Sequence, residues 1–242
     1  LRGDEHFQEA GAEGAGYLEE TVFADGWGDQ LKDEQGRQIG YRMDQDDYIA
    51  ALKTIALPTV TTGSAETDAD PDCAKLFLSL LMALAYGLTI RVDLGVYVVA
   101  LQRHLQKPKY IHIRRLNTIV RWAQKNPLGL VYRRFACQRI LEAHTDAGFR
   151  REEDLDAIYQ GRATRGTNVF RLGPKTGEIR QCHLIDFQVG TTKQVVRSTL
   201  TAEGHSIIGT TDNGLVLKVT MHEVVHGPAS REQACAITEG NV

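Results

Sequence analysis

The chain has 242 residues, 42% of them apolar, which is enough to bury one sizeable core or two modest ones. Its longest apolar run, Leu76 to Leu88, is shorter than the roughly 20 residues that cross a bilayer. We therefore predict a buried core helix there and no membrane partner. The N-terminus lacks the pattern of a secretion signal, and the four cysteines lie too far apart to clasp zinc. These features predict an intracellular, soluble protein with reduced thiols.

The net charge is only −3, but the charges are unevenly distributed. Residues 1–93 carry 18 acids and 7 bases, whereas residues 94–141 carry 10 bases and no acid. A stretch without carboxylates attracts a polyanion, and nucleic acid is the natural partner. The alternative is a solvated helix face. The bases that we expect to contact nucleic acid are Lys107, Lys109, Arg114, Arg115, Arg121 and Lys125.

The pattern up to residue 126 predicts a mostly helical piece. Alternation of Ile39, Tyr41 and Met43 predicts a strand over residues 36–43, and the polar residues 58–72 predict a solvated linker. Apolar spacing predicts four helices, at residues 48–55, 73–88, 94–105 and 110–125. The last of these has one apolar stripe, made of Ile113, Leu116, Val120 and Ala123.

A change of pattern near residue 127 divides the chain into a helical domain, residues 1–126, and a β-rich domain, residues 127–242. Strands are predicted at residues 128–132, 139–145, 163–172 and 178–187. The last two are joined as a hairpin through Gly173 to Gly177. A helix follows Ser198 and ends near His226, before Gly227 and Pro228.

Two acids of the second domain have an order that suits metal chemistry. Asp146 stands at the end of a predicted strand, and Glu203 stands in the first turns of the helix that follows two more strands. Carboxylates on neighbouring elements can hold two divalent cations that activate water, and oxygen ligands favour Mg²⁺ or Mn²⁺. The simpler interpretation is a turn residue and a helix N-terminal acid.

Several motifs, in this order and with these gaps, resemble copia-type retrotransposon polyproteins. Residues 76–86, Leu-Phe-Leu-Ser-Leu-Leu-Met-Ala-Leu-Ala-Tyr, resemble the family's SLLGALxYL, and residues 36–52 resemble its dGxIxlxQxxYIxxLL. Residues 144–149 resemble its DADWA. Residues 184–187, 193–194 and 198–203 resemble its ISWxSKKQxxVALSSTEAEY.

The resemblance implies an α+β or α/β fold. Residues 1–126 would be the thumb- or connection-like end of a reverse transcriptase, and residues 127–242 a ribonuclease H-like mixed sheet with a flanking helix. Asp146 and Glu203 would bind Mg²⁺ or Mn²⁺ and catalyse hydrolysis of the RNA strand of an RNA–DNA hybrid. The rest of the Pol polyprotein would be the partner.

The family's third metal acid has no evident equivalent before Val242, so we expect a domain truncated at its C-terminus. Such a fragment would be inactive alone, and ribonuclease H activity would belong to the intact parent. The alternative is a decayed, non-catalytic remnant that at most binds nucleic acid.

A third interpretation rests on His222-Glu223-Val-Val-His226, which matches the H-E-x-x-H pattern of zinc metallopeptidases. The two histidines would bind zinc, and Glu223 would act as the base. Gly227 and Pro228 break the predicted helix at the second histidine, so exposed helix-end histidines are the other interpretation.

Overall fold

The computed structural model describes residues 29–57, 65–134, 140–148, 162–176, 179–192, 195–196 and 198–240. In this part of the chain, six α-helices accompany two three-stranded antiparallel sheets. The expected α+β class is therefore confirmed. No parallel strand pair occurs among the described strands, so a mixed sheet is not seen in these ranges.

The first half contains three strands that form one sheet and four α-helices. The strands pair in the order β1-β2-β3, and Met43 of β2 pairs with Leu130 of β3. Since β3 follows residue 126, this sheet crosses the expected domain boundary. The elements are β1 (Asp29–Lys32), β2 (Gln38–Met43), α1 (Asp46–Ala51), α2 (Pro71–Tyr86), α3 (Gly95–Gln102), α4 (Tyr110–Lys125) and β3 (Leu130–Arg133).

The main core lies between α2, α3 and α4. The predicted apolar stripe of α4 is buried there, which confirms it. Asn117 of α4 is also buried, and its amide bonds both the N–H and the carbonyl of Ile55, at 2.9 and 2.8 Å. These bonds fix the segment after α1 against the core. The stripe faces Phe77, Leu81, Leu84, Leu94 and Val98.

Helix α2 with the turn after it, Pro71–Thr89, is long and apolar enough to cross a membrane, the one such helix among the described residues. A core helix passes the same test, and Phe77, Leu81 and Leu84 of α2 are fully buried in the protein core. The structure therefore agrees with the predicted core helix.

The second half is an antiparallel meander covered on one face by a long helix. Helix α5 lies across β4 and β5, where the Thr145 and Ser206 hydroxyls hydrogen-bond and the Thr167 and Thr210 hydroxyls lie 2.8 Å apart. Small polar residues thus contribute to the contact between sheet and helix beside the small apolar residues Ala147 and Ala202. The elements are β4 (Leu141–Gly148), β5 (Thr164–Thr176), β6 (Ile179–Thr191), α5 (Thr199–His226) and α6 (Arg231–Glu239).

Helix α5 begins and ends where the sequence predicts. Ser198 is its N-cap, and the hydroxyl accepts the Thr201 N–H at 3.2 Å. Gly227 ends the helix with a φ of +85°, a conformation that suits glycine. The predicted β5-β6 hairpin is confirmed, with strands that extend to Thr176 and from Ile179.

Both halves pack together through the sheet face opposite α5. A Cβ atom at Gly95, the first residue of α3, would lie 2.6 Å from the Phe187 ring and 2.8 Å from Val189. Arg103 donates a hydrogen bond to the Thr164 hydroxyl, and the Tyr132 hydroxyl donates to the carbonyl of Leu184 at 2.9 Å. The helical core and the second sheet therefore form one packed unit.

Several predictions need correction at the level of single elements. The predicted helix at residues 48–55 begins at Asp46 and ends at Ala51, and the predicted strand at residues 139–145 begins at Leu141 and ends at Gly148. Strand β1 and helix α6 were not predicted. The first seven of the fifteen residues of the predicted linker, residues 58–64, lie outside the described residues.

Candidate nucleic-acid interface and acid pair

The basic side of α4 is the largest concentration of positive charge that the sequence predicts. Arg114, Arg121 and Lys125 follow one another at i, i+7 and i+11, so they form a row about 16 Å long on one side of the helix. The apolar stripe occupies the opposite side and is buried. The packing of α4 therefore turns this row outward.

Three further bases extend this charged side. Arg115 and Lys107 are exposed, and Lys109 is half-buried at the N-cap of α4. The Lys109 ammonium lies 3.8 Å from the carboxylate of Glu66, so part of its charge is compensated within the protein. We call the six bases together the basic side of α4; they are Lys107, Lys109, Arg114, Arg115, Arg121 and Lys125.

An exposed indole lies on the same side of the helix. Trp122 is 48% exposed, and the buried guanidinium of Arg91 lies 5.8 Å from the centre of its ring. An aromatic ring among exposed bases is suited to contact with a sugar or an unpaired base. Arg91 was missed by the sequence reasoning, although the Arg91-x-Asp93 spacing beside a helix was a usable signal.

The structure places Asp146 and Glu203 on two elements that touch. Asp146 is the sixth of eight residues in β4 rather than its last, and Glu203 lies in the second turn of α5. Ser206, three residues after Glu203, donates from its hydroxyl to the Asp146 carbonyl at 3.5 Å. Both carboxylates are exposed to solvent.

The Asp146 carboxylate starts on the sheet face that does not carry α5. Thr145 and Ala147 contact α5, and side chains alternate along a strand, so the Asp146 side chain starts on the face away from α5. Its Oδ1 accepts the N–H of Ala147 at 2.8 Å. Strand β4 is an edge of its sheet among the described strands.

No third acid joins this pair within the described residues. Among them, no group of three or more His, Cys, Asp or Glu side chains is placed to hold a metal ion. Asp186 of β6, on the α5 side of the sheet, accepts instead from the Asn213 amide at 2.6 Å. The resemblance motifs at Phe149, Lys193 and Gln194 lie outside the described residues.

The histidines of the H-E-x-x-H motif lie in the last turns of α5, with ring centres 4.5 Å apart. Glu223 accepts the N–H of Ala229 at 3.1 Å and so closes the turn after the helix. The Glu223 carboxylate thus has a structural role, and that role accounts for a glutamate at this position without a bound metal. His222 lies nineteen positions after Glu203 in the same helix, about 28 Å along its axis, so the acid pair and the histidine pair are separate sites.

A comparison of the chain with models of known protein families gives no match, and a comparison with curated proteins gives none.

Proposed function

We propose that this chain is a fragment of a copia-type retrotransposon polyprotein that binds an RNA–DNA hybrid through the basic side of α4. The observation that carries the proposal is the outward row of Arg114, Arg121 and Lys125 in a 48-residue stretch without a single acid. One strand of a duplex carries a phosphate about every 3.4 Å, so a row about 16 Å long faces several of them. Phosphate contacts of this kind give affinity without sequence preference.

The experiment is a salt titration of hybrid binding. A fluorescently labelled RNA–DNA hybrid is titrated with the full chain at several salt concentrations, and log affinity is plotted against log salt. Each of Arg114→Gln, Arg121→Gln and Lys125→Gln should lower the slope by about 1, because each phosphate contact releases one counterion. Arg231→Gln, an exposed base on α6, is the matched control and should leave the slope unchanged. If the three α4 variants gave the same slope as the Arg231→Gln control, the proposed interface would be refuted.

A second proposal concerns cleavage of the RNA strand by the intact polyprotein. It is supported by an acid in the first strand of a three-stranded meander and an acid early in the helix that packs on that strand. In that polyprotein, Asp146 and Glu203 would hold Mg²⁺ or Mn²⁺, which would activate water and stabilise the leaving oxygen. Strand β4 is an edge of its sheet among the described strands, and a further strand of the polyprotein that pairs there would bring the third acid.

We expect this chain alone to bind the hybrid without cleaving it, because two carboxylates hold Mg²⁺ weakly. In the intact polyprotein, Asp146→Asn and Glu203→Gln should abolish hybrid cleavage and leave hybrid affinity unchanged. Magnesium-dependent cleavage by the chain alone, lost on Asp146→Asn, would contradict the expectation that the site is incomplete.

A further inference from the structure

A groove between α3 and α4 lies beside the basic side of α4. It encloses about 450 Å³, which falls in the range of about 300–1,000 Å³ typical of small-ligand sites. Tyr97 lies on its α3 side, and Arg114 and Arg115 lie on its α4 side. Leu101 and Ile111 supply apolar surface between them.

The two sides of this groove differ in chemistry. Tyr97 is 55% exposed although it is a large aromatic residue in a helix whose neighbours Val98 and Val99 are buried. The opposite side carries the guanidinium groups of Arg114 and Arg115, which belong to a segment, residues 94–141, that contains ten bases and no acid. A ligand with a planar ring and an anionic group would fit this groove, since its ring could lie against Tyr97 and its anion near the guanidinium groups.

Two stacked histidine rings lie at the end of the groove. The ring of His104, which lines the groove, stacks on the ring of His112 with centres 3.8 Å apart and planes 22° apart. His112 is buried, and its Nδ1 accepts the N–H of Lys109 at 3.0 Å. This bond fixes the orientation of His112, and the stacking in turn orients the imidazole of His104.

We infer that the α3–α4 groove binds an unpaired nucleotide, with the base against Tyr97 and the phosphate near Arg114 and Arg115. This inference rests on the proposed binding of nucleic acid by α4. Unpaired bases are recognised by stacking on aromatic rings or guanidinium planes, whereas paired bases keep their faces inside the duplex. The groove therefore favours single-stranded ends over a blunt hybrid.

The test compares a short single-stranded oligonucleotide with an abasic oligonucleotide of the same length and charge. The full chain should bind the base-bearing strand about tenfold more tightly, since stacking of a base on an aromatic side chain has an effect of this order. Tyr97→Ala should abolish that ratio, and Tyr97→Phe should keep it. Val96→Ala, the neighbouring exposed position of α3 outside the groove, is the matched control.

The outcomes separate this inference from the proposed function. A ratio near one in the wild-type chain, with normal salt-dependent binding of the blunt hybrid, overturns the groove and leaves the basic side of α4 intact. Failure to bind any of these nucleic acids overturns both. Tighter hybrid binding by Tyr97→Ala would also overturn the nucleotide groove. It would indicate that an acidic peptide occupies the groove and competes with the hybrid, such as residues 1–28, which carry seven acids and one base.

Discussion

Arg91 is the largest completely buried side chain among the residues that the structure describes. Its guanidinium donates to both carboxylate oxygens of Asp93, at 3.0 and 2.9 Å, and to the carbonyl of Ala123 at 3.1 Å. Guanidinium remains charged at any physiological pH, so these three bonds compensate for the water that it loses on burial. One residue thereby ties the loop before α3 to the last turn of α4.

Replacement of this arginine should therefore be costly. We expect Arg91→Met to lower the free energy of unfolding by about 2–3 kcal/mol, because the partly buried Asp93 and the Ala123 carbonyl lose a charged partner. Arg121→Met, an exposed arginine of α4, should change it by no more than about 0.5 kcal/mol. Chemical denaturation of both variants measures the difference, and equal losses would contradict the structural role of Arg91.

A histidine between the two sheets should make stability depend on pH. Burial lowers the pKa of His183, and the nearby Arg171 lowers it further; its Nε2 lies 2.9 Å from the Arg133 carbonyl. Above the unfolded-state pKa of about 6.5, the residue is neutral in both states and has no effect. As the pH falls below that value, the unfolded chain takes up the proton first and stability decreases. His183→Gln should remove this part of the pH dependence in denaturation between about pH 7.5 and pH 5.5; an unchanged profile would contradict it.

At the scale of elements, the carboxylate of Asp70 caps the N-terminus of α2. Asp70 accepts the N–H groups of Asp72 and Cys73, at 3.0 and 2.9 Å, and the Tyr110 hydroxyl donates to its other oxygen at 2.8 Å. Pro71 follows at the first helical position, where a missing N–H does no harm. The cap therefore also joins the beginning of α2 to the beginning of α4.

This cap should titrate at low pH. The Cys73 N–H, and after it the Tyr110 hydroxyl, lower the pKa of Asp70 to about 2. Its stabilising effect is complete above the unfolded-state value of about 3.9 and is lost as the pH falls toward 2. Asp70→Ala should lower the melting temperature at pH 7 and flatten its fall between about pH 4 and pH 2, whereas Glu34→Ala in an exposed turn should change neither. Circular dichroism melts at several pH values would test this; an unaltered acid limb in Asp70→Ala would count against it.

Elements with strong local sequence signals could be predicted, whereas contacts between distant segments could not. Helix α4 was predicted at its observed bounds because its apolar stripe and the following Asn126 and Pro127 are strong local signals. The pairing of β3 with β2 was not predicted, since the partner lies far away in sequence. Asp146 was expected at a strand end, but it lies inside β4. The residues of β4 that face α5 give no clear apolar alternation, because Thr145 is polar and the Ala147 side chain is a single methyl group. Likewise Tyr97 was missed because its exposure depends on how α3 packs.

At the scale of the whole molecule, the contact between α3 and β6 joins the two halves. Gly95 is required there because the Phe187 ring and Val189 occupy the space of a side chain. Arg103 adds a hydrogen bond from the end of α3 to Thr164 of β5. The halves should therefore unfold in a single cooperative transition.

A methyl group at this contact should weaken the whole protein. Gly95→Ala should lower the free energy of unfolding by about 1–3 kcal/mol, because the Phe187 ring must move. Gly214→Ala is the matched control, since nothing lies within 4 Å of a Cβ there and α5 should gain about 0.5–1 kcal/mol. Denaturation curves of both variants give the comparison; a loss in Gly214→Ala, or none in Gly95→Ala, would show that the contact is not close-packed.

The pairing of β2 with β3 also sets an order of events during synthesis. Strand β2 pairs with residues that follow roughly 90 positions later, and a ribosome adding about 5–20 residues per second needs several seconds to reach them. The helical core of α2, α3 and α4 lies wholly within that interval and forms from nearby residues. The nascent chain can thus assemble its helices first and close the first sheet last, with β2 open to other partners until β3 arrives.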